Sequence, residues 1–119
     1  MSLESILVGL LTTNVLPQVY PDVAPSGTLP PYATFIQFGG AAPTFVDAEV
    51  PSKRNANIQI DIYCTTRAEA ISLMLAVEST LTWSAPDLDA KPISAMRATL
   101  DDESDLRGAS QDFTIWSDR

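Results

Sequence analysis

The apolar positions near the start of the chain fall on one helical stripe. Within residues 2–15, Leu3, Ile6, Leu7, Leu10 and Leu11 recur at intervals of three and four, the spacing that stacks side chains on one face of an α-helix. Ser2 can cap this helix, Glu4 suits its positive end and Pro17 stops it. Further on the period changes to two. In residues 54–64, Ile58, Ile60 and Ile62 point one way while Asn57, Gln59 and Asp61 point the other, the signature of a strand with one dry face and one wet face. Thr66, Arg67, Ala68 and Glu69 then form a capping box, in which the threonine hydroxyl accepts the Glu69 amide and the Glu69 carboxylate reaches back. A second helix is expected to about Leu81, with Ala70, Ile71, Met74, Leu75, Val77 and Leu81 as its apolar stripe.

Between these elements the texture differs. Five of the nine prolines fall in residues 17–31, where fixed φ angles and missing donors exclude both helix and central strand. This segment reads as an ordered extended connection, because Val19, Tyr20, Val23 and Leu29 give it something to pack. Residues 32–38 are aromatic and β-branched and end at Gly39 and Gly40, so they read as a strand with residues 44–50 as its hairpin partner. Residues 83–92 read as loop. Residues 93–100 and 107–116 read as two last strands around an acidic turn, with Phe113 and Ile115 on the same face as Ala109. The expected fold is α+β: a mainly antiparallel five-stranded sheet with two helices packed on one face, in the order α-β-β-β-α-β-β.

Composition narrows the function more than the fold. A chain of 119 residues is one domain's worth, expected to span 1–119, and would bury roughly two-thirds of its extended surface. Fifteen acidic residues stand against seven basic ones, a net charge of -8, which disfavours gripping a phosphate backbone. Histidine is absent, and with it go Ser-His-Asp and Cys-His machinery and any imidazole metal site. The single cysteine, Cys64, can form neither an internal disulfide nor a thiolate cluster, which suits a reducing cytoplasm. Glu4 and the short run at residues 6–11 do not resemble an export signal. No stretch approaches the roughly 20 apolar residues of a membrane span. The expectation is a soluble, unprocessed protein.

Candidate chemistry is sparse. Asp101, Asp102, Glu103 and Asp105 could chelate a hard cation or work as an acid/base pair. The spacing of Asp101, Glu103, Asp105 and Asp112 grazes a calcium loop, but Leu106 stands where glycine is needed and the flanks read as strands. A solvated hairpin tip is the preferred reading of the cluster. Cys64, at the end of a dry strand face, reads as a small core residue. The hairpin of residues 32–50 holds more apolar side chains than one alternating face requires, with Phe35, Phe38, Phe45, Val46 and Val50. It is either a well-packed hairpin or an exposed arm that adds an edge to a neighbouring subunit. Lys53 and Arg54, the only adjacent basic pair, sit at its base.

The order of short motifs resembles a known family. Val19-Tyr20-Pro21, then Leu29-Pro30-Pro31-Tyr32, then Ile58 to Tyr63, the helix start at Thr66 to Ala70 and finally Gln111 to Trp116 are similar to the small tail completion, or tail terminator, proteins of long-tailed bacteriophages and prophages. The resemblance covers nearly the whole chain. It implies a structural, non-enzymatic virion protein without cofactor or metal, made in the host cytoplasm and placed at the head-proximal end of the tail. There it would close as a hexameric ring, though it can be monomeric when isolated. The implied partners are further copies of itself, the major tail tube protein and a head-completion or connector protein, while DNA passes through without specific binding and no membrane is involved. In this setting Phe38, Phe45, Val46, Val50, Lys53 and Arg54 become candidate interface residues, and Asp101, Asp102, Glu103 and Asp105 a candidate acidic lumen or surface. A head-side neck or connector protein, and a small acidic metal-binding or enzymatic domain, remain alternatives.

Overall fold

The alternating isoleucine strand lies in the middle of the sheet. The structure, a computed structural model, describes residues 3–40, 53–83, 88–101 and 105–118. Its elements run α1 (Leu3–Asn14), β1 (Val19–Pro21), β2 (Tyr32–Gly39), β3 (Lys53–Cys64), α2 (Arg67–Thr82), β4 (Asp89–Pro92), β5 (Arg97–Asp101) and β6 (Leu106–Asp118). The strands follow the order β1-β2-β3-β6-β4, and β5 also pairs with β6. Every pairing is antiparallel except the parallel contact of β1 with β2.

The dry face forms as the alternation requires. Ala56, Ile58, Ile60, Ile62 and Cys64 of β3 are buried, and opposite the first four, Ile115, Phe113, Gln111 and Ala109 of β6 are buried too. Leu3, Leu7 and Leu11 of α1 and Ala70, Met74, Val77 and Leu81 of α2 close over that face in the same cluster. Each fully buried leucine or isoleucine removes apolar surface worth about 1.5–3 kcal/mol. Thr66 caps α2 as expected, its hydroxyl accepting the Glu69 amide at 3.3 Å.

Three expectations are corrected. Among the described residues the sheet has six strands where five were expected in all: β1 lies inside the proline-rich segment and β4 inside the stretch read as loop, and the strand expected at residues 44–50 is not among the six. β1 and β4 are very short, and both are sheet-edge pieces where proline is tolerated, since its missing donor need not face a neighbour. The last pair of strands is displaced as well: β5 begins at Arg97 rather than residue 93. In α2, Ile71 and Leu75 are exposed at 40% and 55% instead of joining the stripe. The hairpin partner expected at residues 44–50 lies outside the described residues.

Side-chain ties hold the connections. Gln18 donates through Nε2 to the Leu29 and Pro31 carbonyls at 2.8 and 3.0 Å, which pins the proline-rich connection to the start of β1. Arg67, at the start of α2, donates to the Gly108 carbonyl of β6. Gln111, buried at 2% exposure, donates to Glu78 of α2 and to the Ser94 carbonyl, both at 3.1 Å, and so ties α2, β6 and the β4–β5 connection together.

Two positions yield tests. A Cβ at Gly108 would stand 2.5 Å from the Ile62 carbonyl oxygen and also against the Thr99 hydroxyl. The carbonyl belongs to the central ladder and cannot move aside, so Gly108→Ala should lower the stability by about 1–3 kcal/mol, read as a lower urea midpoint. Burial, and then the negative charge of Glu69, push the Cys64 thiol from 9.0 up to about 11. The thiol therefore stays protonated in the fold over a pH range where the unfolded chain ionises. Its contribution is intact below about pH 9 and is lost as pH rises toward 11. Urea titrations at several pH values should show that Cys64→Ala loses less stability than the parent over this window; equal losses would contradict it.

Candidate assembly interface

The sheet leaves part of one edge open. β1 pairs only with Ala33 to Phe35 of β2. The Ala33 amide donates to the Gln18 carbonyl at 2.9 Å and the Asp22 amide to the Phe35 carbonyl at 2.8 Å. The odd-numbered residues of β2 thus turn their backbone groups outward toward β1. Gln37 is next in that series and has no strand partner on this side among the described residues. Ile36 and Phe38 stand 46% and 51% exposed on the same stretch. An outward, unpaired backbone position beside exposed apolar side chains is a place where another segment can add to the sheet.

Beneath that edge, on the helix side, lies a cavity of about 220 Å³. Leu3, Leu7, Phe35 and Ile58 give it apolar walls, and Glu4, Asp22 and Arg54 stand around it. Gly40 closes the described part of the hairpin with φ +153, and a Cβ there would come within 2.5 Å of the Asn55 carbonyl oxygen. Only glycine fits both the torsion and the approach.

The opposite edge exposes apolar side chains as well, whereas the uncovered face is mainly polar. Ile93 and Leu100, beside or within the outer strands β4 and β5, are 50% and 54% exposed. The face away from the helices carries Asn55, Asn57, Gln59 and Asp61 of β3 beside Thr114, Asp112 and Ser110 of β6. Its Arg97 is bound at 3.0 Å to Asp112 and at 3.0 Å to Ser110, and the Asp112 hydrogen bond raises the guanidinium's pKa, so its charge is already partnered. Tyr32 and Tyr63 stack across β2 and β3 with centroids 4.9 Å apart. On α2, Ile71 and Leu75 face outward, and Trp83 at its end is 82% exposed.

The residues singled out from sequence are thereby distributed. Phe38 is on the open edge, whereas Phe35 belongs to the core at 3% exposure. Arg54 is exposed at the start of β3 and lines the cavity; Lys53 begins the same strand. Phe45, Val46 and Val50 lie outside the described residues. Of the acidic group, Asp101 ends β5 and Asp105 sits in a left-handed turn conformation at φ 57, paired with Arg107 at 2.9 Å. Asp102 and Glu103 lie outside the described residues. Asp112, the twelfth position of the calcium-like spacing, is committed to Arg97 instead. Among the described residues no group of three or more acidic or thiol side chains is arranged to hold a metal. Sequence reasoning missed Ile36, Ile71, Leu75 and Trp83 as exposed apolar groups. For Ile36 the alternation did contain the signal, since it falls on the face opposite Phe35.

Comparison with known proteins bears on what this surface serves. No curated protein matches the sequence. Among solved structures, a chain in the virion of a native gene transfer agent particle is similar, with TM-score 0.57 and 17% identity over 97% of this chain and 86% of that one. That likeness shows a shared fold. The family model described as tail completion protein gp17 matches residues 7–118. The chain therefore belongs to the tail completion protein gp17 family, structural proteins of bacteriophage tails.

Proposed function

We propose that this protein closes as a hexameric ring on the head-proximal end of the tail tube, ends tube growth and offers the docking surface for the head. The observation that carries the reading is a sheet with two different apolar edges, Ile36 and Phe38 standing exposed where β1 stops on one side and Ile93 and Leu100 standing exposed by β4 and β5 on the other. Unlike edges support a heterologous contact, which closes into a ring when the rotation per subunit divides a full turn. Phe38, Phe45, Val46, Val50, Lys53 and Arg54 would lie at the contact between subunits or with the tube protein. Asp101, Asp102, Glu103 and Asp105 would face the channel or the outer surface, where like charge keeps passing DNA from condensing on the wall. The head side would be met by a head-completion or connector protein.

Deleting the gene should produce over-long tubes without heads, counted in negative-stain micrographs. Tails of normal length joined to heads would overturn the reading, and label found on tailless heads would favour a neck or connector role. With a charge of -8 per copy, neighbouring subunits repel one another. Ring closure on tubes should therefore strengthen as salt rises from low ionic strength, because screening weakens that repulsion. A steady weakening, followed by sedimentation with the tubes, would contradict it.

A further inference from the structure

Trp83 is the most exposed aromatic side chain among the described residues, standing 82% open just past the end of α2. Its backbone amide donates to the Ser79 carbonyl at 3.2 Å, so the last turn of the helix holds the residue in place while the indole meets water. Tryptophan is among the residues most enriched at binding hot spots, where it fills a pocket on a partner. A pocket of suitable size lies on the other flank of the same layer. α2 packs on β3, β6 and β4, whereas α1 meets β1. In the order β1-β2-β3-β6-β4, the tryptophan therefore sits toward the β4 edge, and the cavity of Leu3, Leu7, Phe35 and Ile58 toward the β1 edge. Both also lie toward one end of the sheet. Arg54, which lines the cavity, is near the start of β3, and α2 begins beside Gly108, opposite Tyr63, and runs back toward that start.

We infer that Trp83 of one copy inserts into this cavity on the next; the inference rests on the ring reading above. Size, chemistry and place select this occupant. A cavity of about 150 Å³ holds one benzene ring, and the fused indole is half as large again, a match for the cavity of about 220 Å³. The apolar walls suit the body of the ring. At the margin, Glu4 and Asp22 offer acceptors to the indole N–H, and Arg54 offers a cation to its face. Knob and pocket are different surfaces on opposite flanks, so copies set side by side in one orientation engage in series. Each gives one tryptophan and receives one, which is a heterologous contact that a rotation can close. A single deep anchor also suits a chain of net charge -8, because it gains apolar burial while bringing little like-charged surface together.

Trp83→Ala should leave the circular dichroism and the urea midpoint of the isolated protein unchanged and should weaken binding to tube ends at least tenfold, with Trp83→Phe weakened less. Equal binding by Trp83→Ala overturns the inference, and so does a lowered midpoint, which would mean that the indole packs within its own copy. Cysteines at Thr82 and Gln37, beside the tryptophan and at the pocket, identify what the tryptophan meets; both positions are exposed. The native Cys64 is fully buried, with its thiol pushed up to about 11, and stays out of the reaction. Purified Thr82→Cys/Gln37→Cys protein, bound to tubes from a deletion lysate and treated with a short bismaleimide, should give covalent multimers on denaturing gels. They should extend to the copy number of the rings seen by electron microscopy and disappear when Trp83→Ala is added. Links within one copy only, links to the tube protein, multimers that persist without the tryptophan, and rings without links each overturn the inference. Absence of rings from the micrographs overturns the ring reading itself, which separates the two failures.

Discussion

Twelve consecutive residue pairs join β3 to β6, and every other element hangs on that ladder. Its register puts Ala56, Ile58, Ile60 and Ile62 opposite Ile115, Phe113, Gln111 and Ala109, so one face of both strands is dry along most of its length. A dry face must be covered, and α1 and α2 bring their stripes to it. A slip of one residue would turn the isoleucines to water and the asparagines to the helices, which is why the register is strongly specified. Gly108 shows how closely the frame is packed, since the Ile62 carbonyl occupies the space of its missing side chain. Gln111 is the one polar side chain within this run of apolar pairs, and its amide ties the helix layer to the outer edge.

What was legible in the sequence tracks how far each element depends on itself. The isoleucine alternation and the Thr66 cap carry their own local signal; the alternation appears as read, and of the capping box the bond from the Glu69 amide to the Thr66 hydroxyl is present. β1 and β4 are three and four residues long, too short for any period, and each contains a proline. They are strands because a neighbour's edge is there to pair with, which no local pattern expresses. The same limit explains α2. Ile71 and Leu75 have the spacing of core residues, but the face that α2 turns to the sheet runs through Ala70, Met74, Val77 and Leu81, with Leu73 at its margin, and leaves them on the outer side. For the interface, the surplus of aromatic residues in the hairpin was readable. Phe35 lies inside because it stands opposite Ile60, Phe38 falls in the bulge between Gln37 and Gly39, and the open edge follows from where β1 stops.

Most of the positive charge is already committed within the fold. Among the basic side chains, Arg67 serves the Gly108 carbonyl, Arg97 serves Asp112, and Arg107 serves Asp105. Arg54, at the start of β3, has no acidic partner among the described residues, and Lys91 is exposed at the same end of the sheet. The other end carries the connection from β5 to β6, whose sequence holds Asp101, Asp102, Glu103 and Asp105. Asp118, opposite Lys53, and Asp89, opposite Trp116, stand at the same end as Arg54 and Lys91, and Arg67 and Arg107 stand at the other, so neither end is purely one sign. A body with net charge -8 is approached more easily by a basic partner than by an acidic one. Any contact at the exposed Ile36 and Phe38 between two such chains would have to gain more from apolar burial than it loses to their like charge.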